Sequence, residues 1–250
     1  MREFKSIQKI LSQVRRAVDG YDMIAEGDKV AVGLSGGKDS TTLLCVLKAL
    51  SRFYPRKFDV VAITLDNGYP GANLDSIKRL CDEVDVELII EQTNIYKIVF
   101  ELRKEPNPCS LCANLRRGAL NNVALANGTN KVAYGHHYDD AIETFMLNLL
   151  NEGRIGCFQP VTNLDRTGIT VIRPFIYTPE KEIKRFVKAE GLEIMPKVCP
   201  ADGNTQRQKM KDLLSELERE NHGTKKRIFG AMERSNISGF TVIPRGRKEY

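Results

Sequence analysis

No apolar run in this 250-residue chain approaches the ~20 residues that a helix needs to cross a membrane. Residues 1–20 are charged throughout, where a secretory leader would carry an apolar stretch. A cytoplasmic protein without a membrane partner is expected. In a reducing compartment structural disulfides do not persist, so the six cysteines are read as free thiols or ligands. No cysteine precedes Cys45 or follows Cys199, which leaves no room for a Cys-rich zinc finger at either end. A net charge of +6 is modest; it suits a polyanionic partner and does not require one.

What is present begins with Lys29 to Leu47. The apolar run Val30–Leu34 breaks at Ser35-Gly36-Gly37 and resumes from Thr41 with apolar residues at helical spacing, a strand, a tight loop and a helix. Successive glycines let the backbone approach a ligand closely. The helix start supplies unpaired amides and a positive dipole end, and Lys38 adds a mobile charge, so the loop suits an anion. Asp39 follows Lys38, and the Gly-Lys-Ser/Thr ending of a Walker loop is absent. A plain Gly-rich turn would explain the glycines but not the adjacent Lys38 and Asp39.

Strand and helix then alternate: a helix over 4–19, strands at Val60–Leu65, Val86–Ile90, Lys131–Tyr134 and Thr170–Arg173, helices at Leu74–Val84, Ile95–Leu102, Ala141–Leu150, Pro179–Glu190 and Gln206–Asn221. The pattern predicts an α/β fold, a parallel sheet with helices on both faces, whose ligands bind at the carboxyl ends of the strands. Residues 151–168 read as a loop and the last dozen residues, with Arg245, Arg247 and Lys248, as a basic tail. The basic face of the first helix, Lys5, Lys9, Arg15 and Arg16, reads as a solvated face or a nucleic-acid contact. Three stretches are expected: 1–26, a helix and linker; 27–190, the nucleotide-binding domain; 191–250, a helical extension.

Polar clusters gather where that sheet edge should lie. Asp66 and Asn67 follow a strand, as a ligand edge or as a simple Asp-Asn-Gly turn. Gly135-His-His-Tyr-Asp-Asp140 lies between strand and helix, where Asp139 and Asp140 suit magnesium or, in part, a helix cap. Cys109 and Cys112 sit three apart at the start of a helical segment and present both sulfurs on one side, as half a metal site or a redox pair. Arg116 and Arg117 follow about one turn later, suited to phosphate. Cys199 lies in a turn-rich stretch, whereas Cys45 and Cys81 fall in apolar helical patterns and read as core; Cys157 stays undecided. Zinc on Cys109, Cys112, Cys199 and His136 or His137 competes with a three-thiolate cluster with one open position.

Ser35-Gly-Gly-Lys-Asp-Ser40 resembles the PP-loop of the ATP pyrophosphatases. With Pro108-Cys-Ser-Leu-Cys-Ala-Asn-Leu-Arg-Arg-Gly118, Gly135-His-His-Tyr-Asp-Asp140, Ile172-Arg-Pro174 and Thr205-Gln-Arg-Gln208, residues 27–235 resemble the TtcA family of tRNA 2-thiocytidine synthetases. The resemblance implies a Rossmann-like PP-loop domain of the adenine nucleotide alpha hydrolase type. It implies a 4Fe-4S cluster on Cys109, Cys112 and Cys199 with one iron open, and magnesium and ATP to adenylate the 2-carbonyl of a tRNA base, with cytidine 32 as the expected target. Sulfur, from sulfide or a sulfur-donor protein, then displaces AMP. ATP contacts carry over to Gly33, Leu34, Ser35, Gly36, Gly37, Lys38, Asp39, Ser40, Leu65, Asp66, Arg116, Gly135, His136, Asp139 and Asp140. Catalytic roles carry over to Lys38, Arg116, Asp140 and the three cysteines. A homodimer is compatible with the resemblance. The family's further cysteine three residues before the last ligand is Pro196 here, and its N-terminal extension is short. Competing readings are an adenylating enzyme that thiolates uridine or forms a carbon–nitrogen bond, and a non-enzymatic ATP sensor.

Overall fold

Along the central strand β1 (Asp28–Gly33), Val30 and Val32 pack into one apolar cluster and Ala31 into another, all fully buried, as the twofold alternation of a strand covered on both sides requires. The computed structural model describes residues 2–71, 73–103, 108–196, 199 and 206–244. Among them the other strands are β2 (Phe58–Asp66), β3 (Glu87–Gln92), β4 (Lys131–Ala133), β5 (Val161–Leu164) and β6 (Ile169–Ile172). They form one sheet in the order β3-β2-β1-β4-β6-β5. Five strands run parallel, with Val30 opposite both Val60 and Lys131. The chain winds outward from β1 through β2 to β3, then returns to β4 on the other side. The carboxyl ends of β1 and β4 therefore frame a topological switch point, where sheets of this kind open a ligand crevice.

Helices α1 (Gln8–Gly20), α2 (Lys38–Ser51), α3 (Asp75–Val84), α5 (Tyr138–Asn151), α6 (Glu180–Ala189), α7 (Gln206–Glu220) and α8 (Thr224–Arg234) contribute to the larger apolar cluster. α4 (Pro108–Ala126) covers the opposite face, where Leu120, Val123 and Ala124 pack on Ala31, Val61 and Ile63. One continuous core thus takes residues from all three expected stretches, from Ile7 to Phe240. Among the described residues no helix is long and apolar enough to cross a membrane.

Four expectations are corrected. Residues 151–168 are not all loop: Val161–Leu164 is an antiparallel edge strand paired with β6, so the strand read as fifth is sixth. Its four residues and the turn at Gly168, at φ +70, leave too short an alternation to read. The segment expected as an α-helix over Ile95–Leu102 is a π-helix over Lys97–Arg103, in which Phe100 packs beside Tyr69. A further helix, α8, follows the one read as the last, burying Phe229 and Met232. The last dozen residues are not simply a tail, since Phe240 is fully buried and Ile243 packs over Gly20; Arg245, Arg247 and Lys248 lie outside the described residues. On α1, Lys9 pairs with Glu182 at 2.8 Å and the Arg16 guanidinium lies 3.8 Å from the Tyr177 ring centre, so much of its basic face is internally engaged.

Candidate active site

The loop between β1 and α2 is braced from within. Gly33 ends β1 under α4, where a β-carbon would stand 2.8 Å from Leu120. Leu34 is buried, and its carbonyl accepts the Thr64 hydroxyl at 2.9 Å. The Ser40 hydroxyl accepts from Ser35 N and lies 3.1 Å from the Ser35 hydroxyl, pinning the two ends of the loop together. Gly36 holds φ at +74. Gly37 is the N-cap of α2, and the amides of Lys38, Asp39 and Ser40 precede the first intrahelical bond, from Thr41 N to Gly37 O. These amides form the positive end of a 14-residue helix.

Lys38 Nζ lies 2.7 Å from Asp39 Oδ2 and 3.1 Å from Glu180 Oε1. Burial works against its charge, but the bond to Asp39 and the charge of Glu180 outweigh it and raise the pKa. Glu180 also meets Lys211 and Lys184; despite the opposing effect of burial, these cations hold its carboxyl far below the ordinary range. Asp39 Oδ1 is buried and accepts no hydrogen bond.

The β4–α5 turn lies against this loop: a β-carbon on Gly135 would come 3.1 Å from the Asp39 backbone. His137 caps α5, its Nδ1 accepting from Asp140 N while its own N–H donates to Asp140 Oδ2, a reciprocal capping box. That leaves the ring proton on Nε2, which faces Asp39 Oδ1 at 3.8 Å. Asp140 Oδ1 accepts from Arg207, which also reaches Thr144. Both Asp139 oxygens are engaged, one by Lys225 Nζ and one by Glu180 N, each at 2.8 Å. His136 is half-buried between Tyr134 and Phe158; burial lowers its pKa to about 4, so the ring is neutral. At the end of β2, Asp66 accepts from Gly68 N in an Asx turn, and Leu65 lies partly buried beside it.

Cys109 and Cys112 occupy the first turns of α4. Cys112 Sγ is 3.9 Å and Cys199 Sγ 3.8 Å from the same oxygen, the Tyr69 hydroxyl, so two sulfurs 87 residues apart in the chain face one point. Tyr69 carries no signal of its own in sequence, and neither do Glu180, Lys211 or Lys225, which reach the loop edge from distant helices. Met195, four residues before Cys199 in the sequence, donates its N–H to Gly36 O at 3.0 Å. All six cysteines are free; Cys45 and Cys81 are buried core residues, and Cys157 bonds the Ala141 carbonyl. Among the described residues no three Cys, His, Asp or Glu side chains stand close enough to hold a metal as placed. Neither His136 nor His137 joins the cysteines in such a group, so the zinc arrangement is not formed among the described residues. Arg116 and Arg117 are exposed on α4.

The fold and loop together define a PP-loop domain, and the sequence model of that family matches residues 5–215. The chain is 42% identical over 231 residues to a tRNA-cytidine(32) 2-sulfurtransferase of Geobacter metallireducens, covering 91% of this chain and 90% of the relative. A second enzyme of that name, from Citrifermentans bemidjiense, is 40% identical over 98% of this chain and 96% of its own. The chain belongs to the tRNA-cytidine(32) 2-sulfurtransferase family. Among solved structures it is similar to the U34-tRNA thiolase NcsA from Methanococcus maripaludis with its [4Fe-4S] cluster, with a TM-score of 0.75 and 26% identity over 92% of this chain and 78% of that one.

Proposed function

We propose that this chain uses ATP to replace the 2-oxygen of a tRNA cytidine, at position 32, with sulfur. The observation that carries the reading is a pair of contacts: Met195 bonds the phosphate loop, and Cys199, four residues later in the sequence, faces Cys112 across Tyr69.

A base carbonyl oxygen is a poor leaving group. In the proposed first step it attacks the α-phosphorus of ATP, forming the oxygen–phosphorus bond as pyrophosphate departs. The loop amides from Gly36 to Ser40 and Lys38 hold that pyrophosphate and stabilise its growing charge. Lys38 reaches it by exchanging its present carboxylate partners for phosphate. Leu65 and Asp66, with Gly33 and Leu34, frame the adenosine; Arg116 balances charge at the reacting phosphate. Asp140 fixes the turn of Gly135 and His136 beside it, and Asp139 anchors α6. Magnesium would be held by Asp39, whose Oδ1 is buried and unpartnered, and would supply positive charge to the phosphates. In the second step a sulfur nucleophile attacks carbon 2, and the carbon–oxygen bond breaks as AMP leaves with the original oxygen.

The thiols of Cys109, Cys112 and Cys199 fit an iron–sulfur cluster: all are free, two sit in the first turns of α4, and the third faces one of them across Tyr69. The cluster would supply an iron position for sulfur delivery. Sulfide or a sulfur-donor protein provides the sulfur, in the cytoplasm, where such thiols stay reduced.

The test is anaerobic incubation with iron-reconstituted protein, tRNA, ATP, magnesium and sulfide, followed by mass spectrometry of the nucleosides. Appearance of 2-thiocytidine with equimolar AMP and pyrophosphate is expected. Unchanged nucleosides, or a product carrying nitrogen in place of oxygen, would refute the reading.

A further inference from the structure

A cavity of about 400 Å3 opens between β4, β6 and α4, beyond the phosphate loop on the side away from β2. That volume falls within the roughly 300–1,000 Å3 of small-molecule sites. Arg117, Tyr134, Phe158, Thr162 and Arg173 line it. Its charge is one-sided: Arg117, Arg173 and the neighbouring Arg116 meet no carboxylate among the described residues. Arg173 is half-buried; among the described residues its guanidinium bonds the Gln159 carbonyl and the Thr162 hydroxyl, and its Nε has no partner. Leaving a guanidinium without a counter-charge away from water is costly, and an anion would relieve it. Burial lowers the Arg173 pKa to about 10, offset in part by the Tyr134 phenol and the Cys157 thiol and by no carboxylate, and Arg117, Arg173 and Arg116 all act on the Tyr134 phenol. The wall is aromatic: the Arg173 guanidinium lies 5.0 Å from the Phe158 ring centre, His136 lies 5.1 Å behind Phe158, and Tyr134 lies 5.8 Å from His136. The Tyr134 hydroxyl and His136 Nδ1 also lack partners.

We propose that this cavity captures one extruded nucleotide of the RNA substrate, its base stacked against the Phe158 and Tyr134 wall and its phosphate held by Arg117 and Arg173. Single-stranded RNA loops are recognised this way, by aromatic and guanidinium planes stacking on splayed bases, and an enzyme that works on a base takes it out of the stack into a closed pocket. ATP is not the occupant, because Leu65 and Asp66, the proposed adenosine edge, lie over β2 on the other side of the loop. The pocket neighbours the turn that abuts the phosphate loop. Tyr134 leads directly into Gly135, which abuts Asp39, and Arg117 lies on α4 five residues beyond Cys112. This inference rests on the proposed thiolation of tRNA and names where its target base sits.

The experiment measures binding of the iron-reconstituted protein to two fluorescent anticodon stem-loop RNAs, one with cytidine and one with an abasic nucleotide at position 32. The parent protein is expected to prefer the cytidine loop by roughly tenfold, the worth of one stacked base. In Phe158→Ala and Tyr134→Leu, which remove the stacking wall, that preference falls toward one while ATP affinity is retained, and Arg173→Gln, which removes a phosphate contact, weakens both loops. Arg117→Ala, on an exposed position without partners, weakens both loops and keeps the test open should Arg173→Gln misfold. A parent without preference, or wall variants that keep it in full, would overturn the pocket. A parent that prefers cytidine yet forms no thionucleoside would leave the pocket standing and refute the proposed reaction.

Discussion

Met195 Sδ occupies the space in which a β-carbon on Gly36 would stand, 2.4 Å from that position. The two residues also share the bond from Met195 N to Gly36 O, so the phosphate loop and the approach to Cys199 are built against each other. Gly36→Ala meets both the thioether and a φ of +74 that side chains resist. The variant is expected to lose roughly tenfold or more in ATP affinity, as a backbone strain of 1–3 kcal/mol implies. Calorimetric titration with ATP checks it, and unchanged affinity would show that the loop adapts freely.

Lys38→Met removes the charge that the proposal places on the departing pyrophosphate. Loss of one such electrostatic contact costs about 100-fold in rate or more. Pyrophosphate release in the presence of tRNA should fall by that factor while tRNA affinity holds. A loss confined to ATP binding, with the rate at saturation intact, would assign Lys38 to ground-state binding alone.

Cys199→Ala is expected to abolish retention of the iron–sulfur chromophore and thiolation together, since two sulfurs cannot hold what three were proposed to hold. Cys157→Ala should leave the chromophore in place, because its thiol bonds the Ala141 carbonyl and burial pushes its pKa up to about 12. Iron content and visible absorbance of anaerobic protein decide the matter. Full iron in the Cys199 variant would remove it from the ligand set.

Glu143 supplies a pH test. Burial, and then the charge of Asp140, push its carboxyl from an ordinary 4.5 up to about 7. The unfolded chain sheds this proton near 4.5 and the native chain near 7, so the native state is favoured below the window and loses that advantage as pH rises through it. Glu143→Gln carries no such dependence. Relative to the parent it should gain on the order of 2–3 kcal/mol in going from about pH 4 to pH 8. Thermal unfolding at both values measures this, and a pH-independent difference would mean that the carboxyl ionises normally.

Much of the phosphate loop was legible because its bracing is local: Ser35 to Ser40 are contiguous, and the Ser35 and Ser40 hydroxyl bonds run within six residues. The same holds for Gly135–Asp140, where the capping role anticipated for one aspartate falls to Asp140 while Asp139 anchors α6. Less could be read where a contact joins distant segments. Glu180 looked like an ordinary helix start, yet it gathers Lys38, Lys184 and Lys211. Tyr69 sits in a turn-forming stretch without period and meets two sulfurs from elsewhere. β5 was missed because four residues give no alternation to count, and α8 because Ile228, Phe229 and Met232 are its only large apolar residues. Arg173 was visible in its motif, but not the absence of an acid beside it.

The cations on α7 and α8 bear on how the protein can be divided. Lys211 reaches Glu180 at 2.7 Å and Lys225 reaches Asp139 at 2.8 Å, and both carboxylates border the phosphate loop. A fragment cut at residue 205 would strand that acidity beside the very place where ATP must bring its own. The terminal helices therefore act as a built-in counterion, and nucleotide affinity is a property of the uncut polypeptide.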